Sequence, residues 1–214
     1  MKRIWLLPIA LLFISMGAGL AGAPKAAAES RAYSVGEHGL VKYPNIGALC
    51  PDQGYRDAFA TCLPQQEIFQ EARAHAARSG KLLLVDYGAN WCVWCLVVDR
   101  YLEGEAGVGE EGDDETNTRL AQPLGEFVAD TFVMVHLNAD KKAEVNPLLT
   151  ELGAGRFIGQ AVPAFIVLDP KSGAFEEARL VEAEKPQSVG YIGYDRAVIL
   201  KELLRAASAV SAGS

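Results

Sequence analysis

Trp91-Cys92-Val93-Trp94-Cys95 is the segment of this chain with the clearest capacity for chemistry. Two cysteines two residues apart can close a small disulfide ring. The ring opens when a thiolate attacks it and re-forms when the second thiol resolves the mixed disulfide. Both sulfurs must then sit on one turn of chain. A helix beginning at Cys92 supplies that geometry, and the partial positive charge at its N-terminus stabilises a Cys92 thiolate. Cys92 is therefore the candidate attacking thiolate and the more exposed sulfur. Cys95, one turn further in, is the resolving thiol. The competing structural reading is an inert bridge. The run Leu82 to Tyr87 just upstream reads as a buried strand ended by Gly88 and Ala89. Strand, short turn, Cys-x-x-Cys and helix together give the spacing a context that a lone pair lacks.

Four further groups of residues could take part. Asp86 stands in an otherwise apolar run, where burial raises a carboxyl pKa and lets it exchange protons near neutrality. The alternative is a hydrogen-bonded structural aspartate. Trp91 and Trp94 flank the cysteines. Trp91 is expected to pack beside the site and shield it. Trp94 is expected either to be exposed and touch a substrate or to pack in the core. Cys50 and Cys62 form a second local pair, and a bond between them would close a loop of about a dozen residues, worth up to ~3 kcal/mol in the chain-entropy model. A structural staple is the favoured reading of that pair, and an electron relay to Cys92 the other. His38, His75 and His136 have no partner in sequence and read as structural. The two thiolates of Cys92 and Cys95 would also suit Cu(I) as soft ligands, which makes a copper chaperone the rival function. Met134 and His136 are the nearby candidates for a third ligand, but both lie on a predicted core strand.

The positioning elements follow from the whole chain of 214 residues, enough for one core and a leader. Residues 1–23 carry Lys2 and Arg3, then an apolar run from Ile4 to Ile14 broken by Pro8, then Ala21-Gly22-Ala23. That is the pattern of a cleaved secretory signal, with an uncleaved anchor as the alternative. Export implies an oxidising compartment, expected to be the periplasm, in which disulfides persist. Losing Lys2 and Arg3 takes the net charge from -7 to -9. Much of it sits in residues 103–118, an acidic insertion with no basic residue, expected to be a solvated loop or a partner-docking element. No basic stripe is present, so nucleic acid is not an expected partner. No nicotinamide or flavin motif is present either, so no cofactor is expected, and nothing indicates an oligomeric state.

Residues 24–63 show little periodicity and read as an N-terminal extension holding the Cys50–Cys62 pair. Pro64 opens a helix that Ser79-Gly80 ends. After the strand at 82–87 and a helix from Cys92 to about Leu102, Thr131 to Leu137 reads as a second strand. Val145 to Leu152 reads as a short helix, Val162 to Leu168 as a third strand, and Phe175 to Val181 as its antiparallel return. Asp195 caps a last helix through Leu204. Alternating strands and helices followed by a hairpin give an α/β fold, a mixed central sheet with helices on both faces.

In this order the chain resembles the thioredoxin superfamily over residues 64–207. Asp86 precedes the first cysteine by six residues, Trp91 precedes it directly, the Cys-x-x-Cys opens a helix, and Val162-Pro163 opens the third strand where that family carries a cis-proline loop. Exported thioredoxin-like proteins are the most similar branch, the C-terminal domain of membrane disulfide-reductant transporters among them. The resemblance implies a thioredoxin-like domain over 64–210 that acts as a protein disulfide oxidoreductase, as reductase or reductant carrier. Cysteine-containing exported proteins would be its substrates and a membrane thiol protein its electron donor. It implies that Asp86 takes the Cys95 proton. It also implies that Pro163 is cis and that the Val162 backbone hydrogen-bonds an extended substrate by strand addition. Val93-Trp94 replaces the Gly-Pro of thioredoxin, and Leu96 the lysine that usually follows the second cysteine.

Overall fold

The computed structural model describes residues 32–54, 57–108, 114–185 and 193–213. The expected signal segment, 1–23, and residues 109–113 of the acidic insertion lie outside them. Among the described residues, no helix is long and apolar enough to cross a membrane.

A six-stranded mixed sheet forms the centre, in the order β1-β2-β4-β3-β5-β6. The strands are β1 (Ser34–Val35), β2 (Val41–Tyr43), β3 (Leu82–Gly88), β4 (Phe132–Asn138), β5 (Ala164–Leu168) and β6 (Phe175–Ala178). β2 and β3 both run parallel to β4, while β5 runs antiparallel to β3 and to β6. Strand β4 is buried along its whole length, as expected where helices cover both faces of a parallel core.

Seven α-helices surround the sheet in the described residues: α1 (Ile46–Leu49), α2 (Gln65–Ser79), α3 (Val93–Leu102), α4 (Glu115–Arg119), α5 (Ala121–Thr131), α6 (Lys142–Glu151) and α7 (Arg196–Ala212). Side chains alternate across β3. Leu83, Val85 and Tyr87 join Ile68, Phe69 and Ala72 of α2 and Leu149 of α6 on one face. Leu84 points the other way, against Val98 of α3, Leu124 of α5 and Leu203 of α7. Two apolar layers thus clamp one sheet, and α3 lies on the second face. This is a thioredoxin-like α/β fold, as the resemblance implies.

Local chemistry sets the helix ends. Gly80 closes α2 in the left-handed conformation at φ 70°, which glycine adopts without a Cβ clash. Asp195 caps α7 by accepting from the N–H groups of Ala197 and Val198.

Three expectations need correction. Residue 64 is not a boundary of the sheet, because Val41–Tyr43, from the supposed extension, pairs in parallel with Val133–Val135. A three-residue strand buried by partners distant in sequence leaves no periodic signature of its own. The described end of the acidic insertion is not a solvated loop: Asp114 caps α4 through the Asn117 N–H at 2.8 Å. Asn117 in turn is buried and accepts at 2.8 Å from the N–H of Arg196. Helix α5 was not anticipated, since Pro123 and Gly125 disguise it, and α7 runs eight residues past Leu204.

Candidate functional site

Cys92 and Cys95 are disulfide-bonded at the start of α3. Cys92 is the N-cap, and its Sγ accepts the Cys95 N–H at 3.2 Å. Cys92 keeps 6 % of its surface open, whereas Cys95 keeps none. The sequence-based assignment of the more exposed sulfur thus matches, although even Cys92 is nearly covered. The Val162 carbonyl oxygen lies 3.6 Å from Cys92 Sγ, and the Val162–Pro163 peptide is cis. The attacking sulfur and a backbone edge that could pair with an extended chain therefore sit side by side.

Trp91 departs from its expected place, and Trp94 takes the packed one of its two. Trp91 is 67 % exposed and donates its indole N–H to Asp140 at 3.0 Å. It shields nothing. A surface carboxylate satisfies the one polar atom of its ring, so the ring can lie in solvent beside Cys92. Trp94, at the second position of α3, turns away from the rim and meets Tyr194 edge-on, with ring centroids 5.4 Å apart. Trp94 packs; Trp91 and the exposed Val93 form the apolar rim.

Asp86 shares a face of β3 with Leu84 and Gly88, the face that α3 covers. It is fully buried, and among the described residues neither carboxyl oxygen accepts a hydrogen bond. Desolvation pushes its pKa up to about 8. His136 and Lys42 pull it back, and Asp99 pushes it further up. At neutral pH the Asp86 carboxyl therefore holds a proton and can exchange it.

Sequence reasoning missed the groups that surround Asp86. His136 stands opposite it in the β3–β4 register. Its Nε2 lies 3.6 Å from Asp86 Oδ2 and 3.0 Å from Asp99 Oδ1. Asp99 sits four residues after Cys95, on the same side of α3. Lys42 of β2 reaches Asp99 Oδ2 at 3.2 Å and also pairs with Glu103. Burial works to raise the Asp99 pKa, yet Lys42 and His136 together hold its carboxyl well below the usual range. A polar cleft of about 230 Å³, lined by Lys42, Asn45, Asp57, Asp99 and His136 among others, opens this network to solvent. Only the i, i+4 spacing of Cys95 and Asp99 was visible in sequence. His136 is thus more than a core histidine, and Met134 is fully buried. These were the candidates for a third copper ligand, and His136 Nε2 is already engaged by Asp99.

Phe59 was also missed. It is fully buried and forms one apolar cluster with Cys92 and Cys95. Gly88 makes room for it: a Cβ there would lie 2.4 Å from Phe59 Cζ and 3.0 Å from Cys95 Sγ. Cys50 and Cys62 are disulfide-bonded, across a separation of 12 residues, and close the loop that carries Phe59. Cys50 is buried and Cys62 exposed.

No protein-family model matches the chain, and no curated protein does. Solved structures that align with it include a thioredoxin from Thermus thermophilus, 23 % identical, covering 64 % of this chain and 82 % of its own, with a TM-score of 0.35. Another is a disulphide isomerase from Xylella fastidiosa Temecula1, 17 % identical, covering 71 % of this chain and 89 % of its own, with a TM-score of 0.36. Superpositions that loose carry no weight; the fold stands on the sheet order, the cysteine-capped helix and the adjoining cis-proline strand.

Proposed function

We propose that this chain is an exported thiol–disulfide oxidoreductase. Its Cys92/Cys95 pair exchanges electrons with cysteines of other exported proteins, as a reductase or reductant carrier. The observation that carries the reading is the disulfide at the start of α3 with Val162 3.6 Å from its outer sulfur. One sulfur keeps a small opening to solvent, the other is sealed one turn in, and the Val162 backbone lies beside the first.

In the reducing direction, the Cys92 thiolate attacks a sulfur of the substrate disulfide. That S–S bond breaks, and one substrate thiolate leaves and takes a proton from water. Cys95 then gives its proton to Asp86 in the ionised minority that a pKa of about 8 leaves at neutral pH, and attacks the Cys92 sulfur. The Cys92–substrate bond breaks, the second substrate thiolate leaves, and the Cys92–Cys95 bond forms. Two electrons pass from the dithiol to the substrate. The α3 N-terminus favours the Cys92 thiolate. Asp86, with its pKa pushed up to about 8, is matched to proton exchange near neutrality.

Re-reduction requires an external dithiol, for which we assign a membrane thiol donor. Export to the periplasm is supported by the Lys2-Arg3, apolar run and Ala21-Gly22-Ala23 pattern and is compatible with two disulfides.

The test is the reduction potential of Cys92/Cys95, by equilibration in glutathione and dithiothreitol buffers. A value of about −270 to −230 mV supports the reductant role, and one near about −120 mV reverses the direction of electron flow. Failure of the pair to interconvert at any poise would sink the redox reading.

A further inference from the structure

The loop between Cys50 and Cys62 is fastened to the site at its tip. Asn90, two residues before Cys92, accepts through Oδ1 from the Ala58 N–H at 3.1 Å and the Phe59 N–H at 2.9 Å. Its Nδ2 donates to the Phe59 carbonyl at 2.8 Å, and Gln53 donates to the same carbonyl at 3.1 Å. The Ala60 carbonyl accepts from Gln65 at the start of α2 and from Asn138 at the end of β4. Buried backbone groups must be paired, and here three elements that frame the site pair them. The tip is therefore held in one place, with Phe59 in one buried apolar cluster with Cys92 and Cys95, its ring beside Gly88 as Cys95 Sγ is, and edge-on to His136 at 5.3 Å.

We propose that Phe59 is the lid of the resolving thiol: it keeps reagents and water away from Cys95 and so confines exchange to Cys92, and the Cys50–Cys62 bond keeps that lid seated. This rests on reading Cys92/Cys95 as the exchanging pair. A mixed disulfide at Cys92 has two fates, attack by Cys95 or attack by an outside thiol. A sealed Cys95 is within reach of the Cys92 sulfur but closed to solvent. It cannot itself be captured by a second substrate or oxidised by small oxidants, since both require access and thiolate character. Gly88 is the matching half of the device, because any side chain there would push the ring off Cys95. Reducing Cys50–Cys62 takes two electrons and two protons from an external dithiol, breaks that S–S bond, and leaves the tip held by Asn90, Gln53, Gln65 and Asn138 alone. The loop then regains the conformational freedom that closure removed, and the lid opens more often.

The experiment uses the full chain with Cys92→Ser, so that Cys95 is the free thiol and no turnover is needed. The second-order rate of Cys95 alkylation by iodoacetamide is read by mass spectrometry and normalised to the rate in denaturant. Phe59→Ala should raise that rate at least tenfold and Phe59→Leu, which keeps a cover, less than threefold. Asn90→Ala and the Cys50→Ser/Cys62→Ser pair should fall between them. The increase should be flat in low urea, the signature of local opening rather than global unfolding. A Phe59→Ala rate within twofold of the parent overturns the lid, and so does an increase that climbs with urea in step with unfolding. An unchanged rate in the double serine variant overturns the coupling to Cys50–Cys62. If that variant fails to fold by circular dichroism, Asn90→Ala decides whether the loop's fastening matters. Loss of the redox reading would show separately, as failure of the wild-type pair to interconvert in glutathione buffers.

Discussion

The two disulfides stand in opposite surroundings. Cys92–Cys95 caps a helix of ten residues, with one sulfur sealed and the other barely open, beside a buried protonated carboxyl and the Val162 carbonyl. Cys50–Cys62 closes a loop, follows a single four-residue helical turn, and leaves Cys62 on the surface. Exposure alone would mark the wrong pair as reactive. What separates them is electrostatics: the helix end favours a thiolate at Cys92, and Asp86 offers a proton acceptor to its partner. Neither feature is present at Cys50–Cys62. Under the proposed function, the contrast fits chemistry at one bridge and support at the other.

The sharpest break between the two is substitution. Cys92→Ser should abolish dithiothreitol-driven reduction of insulin, a loss of at least about a thousandfold as for other nucleophiles. Cys50→Ser/Cys62→Ser should keep activity within a few fold; equal losses in both would erase the distinction. Asp86→Asn should slow resolution of the mixed disulfide about a hundredfold, seen as its accumulation in rapid-quench samples.

The same substitution should stabilise the fold, with a definite pH dependence. Asp86 keeps its proton up to about pH 8 in the folded chain, while the unfolded chain loses it near about pH 4. Between these limits the folded state binds more protons, so stability falls as pH rises. The gain from Asp86→Asn should be absent at pH 4 and complete by about pH 8, with an upper limit on the order of 5 kcal/mol. Asp99 works in the opposite sense. Its pKa is depressed, so its contribution is present above about pH 4 and lost as pH falls below that. Urea titrations should show the Asp86→Asn gain growing across pH 4–8, and the Asp99→Asn loss constant over that range and shrinking only below about pH 4.

Next in size is the staple. Removing Cys50–Cys62 should cost up to about 3 kcal/mol in urea unfolding, whereas loss of the Cys92–Cys95 bond, closing a ring of three intervening steps, should cost less. The smallest effects concern the tryptophans. Trp91→Ala should leave the melting temperature unchanged and raise KM for a protein substrate a few fold. Trp94→Ala should cost about 2 kcal/mol, since its half-buried ring packs on Tyr194. A reversal would return the two rings to their sequence-expected roles.

Much of the core and the reactive pair was legible. Strands β3 and β4 announce themselves because strands buried on both faces become apolar runs. Cys92 and Cys95 carry their spacing, and Asp86 is the one acid in such a run. Strand β2 was not legible, since Val41-Lys42-Tyr43 is too short for a period and owes its place to β4. The Lys42–Asp99–His136 network was hidden for the same reason: it exists only once β2, α3 and β4 are placed side by side. Phe59 and Asn90 lie in turn-rich stretches where nothing marks a contact. The place of Trp91 was not legible because it stands in the turn before α3, where no periodicity says which way a ring faces.

The pairing of β2 with β4 also bears on the order of assembly. Val41 and its partner Val133 are 92 positions apart, so in a chain emerging N-terminus first β2 has only β1 to pair with until β4 follows. The covalent bonds need not wait. Each closes within its own segment, across separations of 12 and 3 residues, while any crossed pairing would have to close a longer loop at greater entropic cost. Contact order therefore sorts the steps: both bridges can be correct before β4 exists, and the sheet is completed around them, slowest contacts last.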